Sequence, residues 1–188
     1  MQGLYDTRKG LILSLAIIAF LMAFIAPAAI FYPIKAGFIT LRNEGIGSSA
    51  WALLTGGIGL LLLSILFIVL GYVQRPLLKI GLAIILLIGS ITGVLLSIRD
   101  YYYITKDEIV INGPFTLAES KYGWSDIAEY EEQVLKINGT LTVDKVIFTT
   151  KTGEIYEFTG GRMLGTMKEI AKSRVQSAGG TIVRTEMD

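Results

Sequence analysis

Three stretches without a charged side chain, residues 11–32, 45–74 and 80–98, constrain this chain more than any other feature. A helix rises about 1.5 Å per residue, so about twenty uncharged residues cross a hydrocarbon core of about 30 Å. The pattern therefore predicts three transmembrane helices, at about 11–32, 49–73 and 80–98. The second stretch is one span with slack, because two spans need about forty residues. Trp51 and Tyr72 near its ends suit the two interfacial aromatic belts, and Arg75-Pro76 and Lys79 turn the chain into the third helix. Pro27 is expected to kink or end the first helix, and residues 33–44, with Lys35, Arg42 and Glu44, read as a polar connection. A rival reading takes Arg8-Lys9, the apolar residues 11–25 and Ala26-Pro27-Ala28 as a cleaved signal peptide. Continuation of the apolar run through Ile30, Phe31 and Tyr32 to spanning length favours a retained helix.

Charge divides the chain at one point. Residues 1–99 hold seven Lys/Arg and two Asp/Glu, whereas residues 100–188 hold ten and fourteen. This predicts a membrane domain at 1–99 and one small soluble domain at 100–188. The seam is Arg99-Asp100-Tyr101-Tyr102-Tyr103, and no Gly, Ser or Pro lies between Arg99 and Thr105, so it reads as a stiff joint. Tyrosines favour the headgroup zone, and strand alternation places Tyr101 and Tyr103 on one side and Tyr102 on the other.

The chain has neither cysteine nor histidine. Disulfides, zinc sites built on those residues, thiol nucleophiles and histidine acid/base chemistry are thereby excluded. No cofactor or metal is expected. Asp126, Glu129, Glu131 and Glu132 do not suggest a cation site, because neighbouring strand residues alternate faces. Uncharged spans argue against a pump. Gly89, Gly93 and Ser97 on the third helix, and Ala52 and Gly56 on the second, form small-residue stripes suited to close helix packing, within this bundle or against a partner.

Past the seam the residue pattern changes. Residues 101–106, 108–112 and 115–119 read as short strands, with Asn112-Gly113-Pro114 as a turn. Residues 127–135 and 140–150 continue the meander through Asn138-Gly139, and Lys151-Thr152-Gly153 reverses the chain into residues 154–158. Met163, Leu164, Met167, Ile170, Ala171, Val175 and Ala178 then share one helix face, which Gly179-Gly180 ends. Residues 181–184 add a short strand or pack alongside. Lys168, Lys172 and Arg174, with Arg162, read as a solvated helix face rather than a lipid contact. Asn138-Gly139-Thr140 matches a glycosylation acceptor that matters only in a secretory pathway.

Meandering strands, Trp124-Ser125-Asp126-Ile127, a hairpin at Lys151-Thr152-Gly153-Glu154 and a closing helix together resemble the bacterial PH-like domain family of small membrane proteins. The family element is a Trp, a spacer and Asp-Ile, here Trp124, Asp126 and Ile127, and the likeness covers residues 100 to about 180. It implies an open barrel of about seven antiparallel strands capped by one C-terminal helix and facing the cytoplasm. The basic cluster of lipid-binding PH domains has no counterpart here, since Lys106 stands alone beside Asp107 and Glu108. Trp124 and Ile127 are expected in the core, with Asp126 capping the turn between them.

The expected protein is thus a multi-pass cell-membrane protein whose PH-like domain is a non-enzymatic binding, assembly or membrane-surface module. Its expected partners are membrane lipids and a protein or its own copies; no nucleic-acid partner is expected. The alternatives are a transport or channel subunit, or a lipid-acting enzyme with Asp126 or Glu119 in a membrane-facing pocket. Lys/Arg residues near the spans divide four against four and leave orientation open, whereas the resemblance implies a cytoplasmic domain.

Overall fold

A computed structural model describes residues 2–39, 44–116, 118–137, 139–159 and 166–187. The chain forms two compact units, one of residues 1–37 and 51–99, the other of residues 38–50 and 100–188. The change of unit at 99/100 falls at the charge boundary, but the second unit also takes in the connection that follows the first helix.

The helical unit contains three helices long and apolar enough to cross a membrane. Helix α1 (Gln2–Ala26) passes through a π-helical turn at Pro27–Phe31 directly into α2 (Tyr32–Phe38). Pro27 has no N–H and its ring clashes with the carbonyl four residues back, and the wider turn absorbs that defect without ending the helix. The polar connection expected from residue 33 is therefore helical through Phe38, and Lys35 stands on that helix, 3% exposed. Helix α3 (Ala50–Tyr72) and helix α4 (Pro76–Arg99) form the hairpin, with Pro76 at the first helical position, where a missing N–H costs nothing.

Packing in this unit is inverted relative to a water-soluble bundle. Large side chains such as Ile17, Phe24, Leu53, Ile58, Ile85 and Leu95 are exposed, while Ala16, Ala19, Ala23, Ala52, Gly56, Gly59, Gly93 and Ser97 face neighbouring helices. Lipid solvates a leucine as well as another helix does, so association comes from close backbone approach and interhelical hydrogen bonds. A Cβ on Gly93 would lie 2.8 Å from both Gly59 Cα and Thr55 O, and one on Gly56 would lie 2.6 Å from Ser97 Oγ. The Ser97 hydroxyl donates to Ala52 O at 2.6 Å and the Ser64 hydroxyl to Ala16 O at 2.8 Å, which ties α4 to α3 and α3 to α1.

The β-rich unit has two four-stranded sheets and is not a closed barrel. The first has the order β1 (Gly45–Gly47), β2 (Tyr101–Ile104), β3 (Glu108–Asn112) and β4 (Ser120–Gly123), all antiparallel. The second has the order β7 (Ile155–Thr159), β6 (Thr140–Thr150), β5 (Ile127–Ile137) and β8 (Thr181–Met187), with β8 parallel to β5. Helix α5 (Thr166–Ser177) lies between β7 and β8 in the chain, and its Met167, Ala171 and Val175 complete a core with Ile104, Ile109, Trp124, Ile127, Tyr130, Phe148 and Phe158.

Three expectations change. Residues 115, 116, 118 and 119 are not in a strand: Thr116 N–H donates to Gly113 O at 3.3 Å, its hydroxyl to Asn112 Oδ1 at 3.0 Å, and the strand follows at Ser120–Gly123. Strand β1 comes from a segment read as part of the second apolar stretch. The strand after α5 is a full member of its sheet, made possible when Gly179 (φ +85°) closes the helix, with Gly180 N–H donating to Val175 O at 2.9 Å. Met163, Leu164, Arg162 and Asn138 lie outside the described residues.

Gly93→Ala should lower the thermal midpoint of the detergent-solubilised protein, as overpacking costs about 1–3 kcal/mol. Gly81→Ala in the same helix meets no atom within 4 Å and should leave the midpoint unchanged or raised.

Candidate functional site

Among the described residues of the β-rich unit, a set of polar contacts surrounds the seam. Asp100 is the single residue between α4 and β2, and it is 2% exposed. Burying a carboxylate is costly unless it is hydrogen-bonded, and Ser49 supplies those bonds. Its backbone N–H donates to Asp100 Oδ1 at 3.4 Å and its hydroxyl donates to Oδ2. Ser49 immediately precedes α3, so the residue that follows α4 is held by the residue that precedes α3.

Residues 44–49 are bound along their length. Glu44 N–H donates to Ile104 O at 2.8 Å, and Gly45, Ile46 and Gly47 pair with Ile104, Tyr103 and Tyr102. Gly47 lies against the Tyr102 ring, where a Cβ would come within 2.1 Å of Cε2, and Gly45 lies against Met167, where a Cβ would come within 2.2 Å of Cγ. The Tyr102 hydroxyl donates to Ser48 O at 3.4 Å, and Arg174 of α5 bonds the Glu44 carboxylate at 3.1 Å. Both glycines are needed because β1 crosses aromatic and thioether side chains at backbone distance.

The tyrosines divide as strand alternation requires. Tyr102 is buried, with its ring edge-on to Phe158 at 4.7 Å. Tyr101 and Tyr103 share the opposite side and stack at 6.3 Å. Partial burial, and then the hydrogen bond to Glu119, pushes the Tyr101 phenol up to about 12; burial also raises Tyr103. Neither carries charge at neutral pH.

Trp124 and Asp126 occupy a 3₁₀ turn (Trp124–Asp126) that leads into β5. Trp124 is buried, with its indole N–H donating to Thr105 O at 3.3 Å; Asp126 Oδ2 accepts from Gly123 N–H at 3.0 Å; Ile127 is in the core. Asp126 and Glu119 are both exposed and engaged by Gly123 and Tyr101, rather than placed in a cleft. Of the acids on β5, Glu132 faces the interior. It is bonded by the Tyr130 hydroxyl at 3.2 Å and paired with Lys172 at 3.8 Å, which ties α5 to the sheet. Burial, then the nearby Glu132 charge, raises the Tyr130 phenol strongly. Among the described residues no group of three acids converges on a metal position.

The basic face of α5 is internally paired: Lys168 with Glu169, Lys172 with Glu132 and Arg174 with Glu44. The small-residue stripes are used inside the bundle, with Ala52, Gly56, Gly93 and Ser97 at the α3–α4 contact and Gly89 against Leu62. Two features escaped the sequence reading. The row Ala16, Ala19, Ala23 and Ala26 on α1 is legible as small residues at helical spacing. The Asp100–Ser49 bond joins residues 51 apart, and local pattern gives no sign of it. Comparison of the chain with protein-family models, with curated proteins and with solved structures finds no match.

Asp100→Ala should destabilise the β-rich unit by about 1–3 kcal/mol, since it removes the two bonds that Ser49 donates to the buried carboxylate. Amide hydrogen exchange at residues 44–49 should accelerate while that of β5 and β6 is unchanged. Tyr101 holds its proton more tightly folded than unfolded, so its contribution to stability is complete below pH 10.0 and is lost as pH rises through about 12. Tyr101→Phe should flatten that part of a stability–pH profile, and ultraviolet titration should show one fewer late-ionising tyrosine.

Proposed function

We propose that this chain is a three-span membrane protein whose β-rich unit is a PH-like, non-enzymatic binding and assembly module, acting on a protein partner or on its own copies beside the membrane. The observation that carries this reading is how its buried polar groups are used. Buried Asp100 is taken by Ser49, buried Glu132 by Lys172 and by Tyr130 of its own strand, and half-buried Glu44 by Arg174, so the Ser49, Lys172 and Arg174 contacts join separate parts of the chain. These groups are held as structural ties, whereas general acid/base chemistry needs a group within reach of substrate.

The PH-like reading is supported by seven strands paired antiparallel that precede a helix whose apolar face completes the core, and by the Trp124–Asp126 turn with Ile127 at its exit. Two features lie outside that plan: β1, donated from the connection before α3, and β8, parallel to β5. Candidate contact residues are the exposed Ile137 and Leu141 near the tip of the β5–β6 hairpin, with Phe115 and Ile155.

Pairing of β1 with β2 also bears on topology. The chain leaves the first span into β1 and the third span into β2, and in a three-span protein these connections share one side. The resemblance assigns that side to the cytoplasm. A reporter active only in the cytoplasm should therefore be active when fused after Asp188 and silent when fused before Met1; the reverse result would overturn the assignment. For the assembly reading, crosslinking in native membranes should capture a second copy or a reproducible partner. A protein that is strictly monomeric in several detergents and captures nothing would refute it.

A further inference from the structure

Among the described residues, the outer edge of β8 is the longest sheet edge left open in the β-rich unit. β8 is the last strand of its sheet, seven residues long and paired only on its β5 side, whereas the other terminal strands have three, four and five residues. An unpaired edge presents a row of backbone donors and acceptors that another strand can complete. Arg184 and Glu186 stand exposed on one face of β8, and among the described residues neither forms an ion pair. Val183 and Met187 are half-buried on the other face.

A strand that pairs with its own copy about a two-fold axis normal to the sheet must do so antiparallel, with opposed residues on the same face. Only registers centred on a residue satisfy this. Centring on Arg184 opposes two guanidiniums, and centring on Val183 opposes Arg184 with Ile182. Centring on Thr185 opposes Arg184 with Glu186 twice and Val183 with Met187 twice. Opposite charges facing each other across strands stabilise a pair, and like charges destabilise it.

We infer that β8 is a self-association edge: two copies of this chain join their second sheets through antiparallel β8–β8 pairing centred on Thr185, held by reciprocal Arg184–Glu186 ion pairs. This rests on the assembly reading above and names the partner as a second copy. The result is one sheet running β7-β6-β5-β8 in one copy and β8-β5-β6-β7 in its partner.

The absence of cysteine from the chain allows a direct test in the full-length protein in native membranes. Opposed antiparallel residues have Cα atoms about 4.5–5.5 Å apart, within disulfide range. Under mild oxidation Thr185→Cys should give a disulfide-linked dimer. Thr181→Cys should not, because in this register the two copies of residue 181 are about 27 Å apart along the strands. In the Thr185→Cys background, Arg184→Glu should cut the dimer yield several-fold, and adding Glu186→Arg should restore it.

No dimer at Thr185→Cys, equal yields at both positions, or no rescue by the charge swap would overturn the inference. If crosslinking at other positions still showed an assembled protein, the assembly reading would survive and only this edge would be excluded. A monomer captured by nothing would remove both.

Discussion

The bond between Ser49 and the buried Asp100 is the constraint on which the β-rich unit depends. It is a local answer to an electrostatic problem: a carboxylate at the one residue between a long apolar helix and a strand has to be hydrogen-bonded or the strand cannot start there. Because the donor sits at the head of α3, satisfying Asp100 also places residues 44–49 beside β2, where Gly45 and Gly47 can pass under Met167 and Tyr102. The first sheet therefore pairs the strand that precedes the α3–α4 hairpin with the strand that follows it. Arg174 extends the same arrangement to α5 through Glu44.

The helices follow a different rule. With large apolar side chains turned outward, their contacts come from the absence of side-chain bulk at Gly56, Gly59 and Gly93 and from hydroxyls of Ser64 and Ser97 that bond carbonyls on neighbouring helices. Such contacts tolerate little addition, whereas the outward leucines and isoleucines are interchangeable in lipid. Among the described residues of this unit Lys35 is the buried lysine, and it stands beyond the π-helical turn, toward the end of the first helix.

Much of the fold is legible in the sequence because it is set by neighbours. Uncharged length gives the helices, glycine at positive φ gives the turns at Gly139, Gly153 and Gly179, and Trp124 with Asp126 marks the entry to β5. Failures occur where a local signal has two outcomes. Pro27 can end a helix or widen it, and here it opens the π-helical turn Pro27–Phe31. Phe115 looks like a strand residue, but the Asn112–Thr116 hydrogen bond makes its segment a turn. Gly45-Ile46-Gly47 has too little side chain to announce a strand, and it becomes one because β2 offers an edge at that place.

The candidate site divides along the same line. Strand alternation separates Tyr102 from Tyr101 and Tyr103 from sequence alone, and the small-residue stripes identify the helix contacts by spacing. Local periodicity determined the number of helices, the charge boundary at residues 99 and 100, the hairpins and the apolar face of α5, since each depends on residues within one or two turns of one another. Only the tertiary structure decided that residues 44–49 belong with the strands, that Ser49 answers Asp100, and that β8 lies parallel to β5 with its far edge open. Those depend on contacts between residues about fifty apart, chosen by which buried donor can reach which buried acceptor, and periodicity carries no record of that choice.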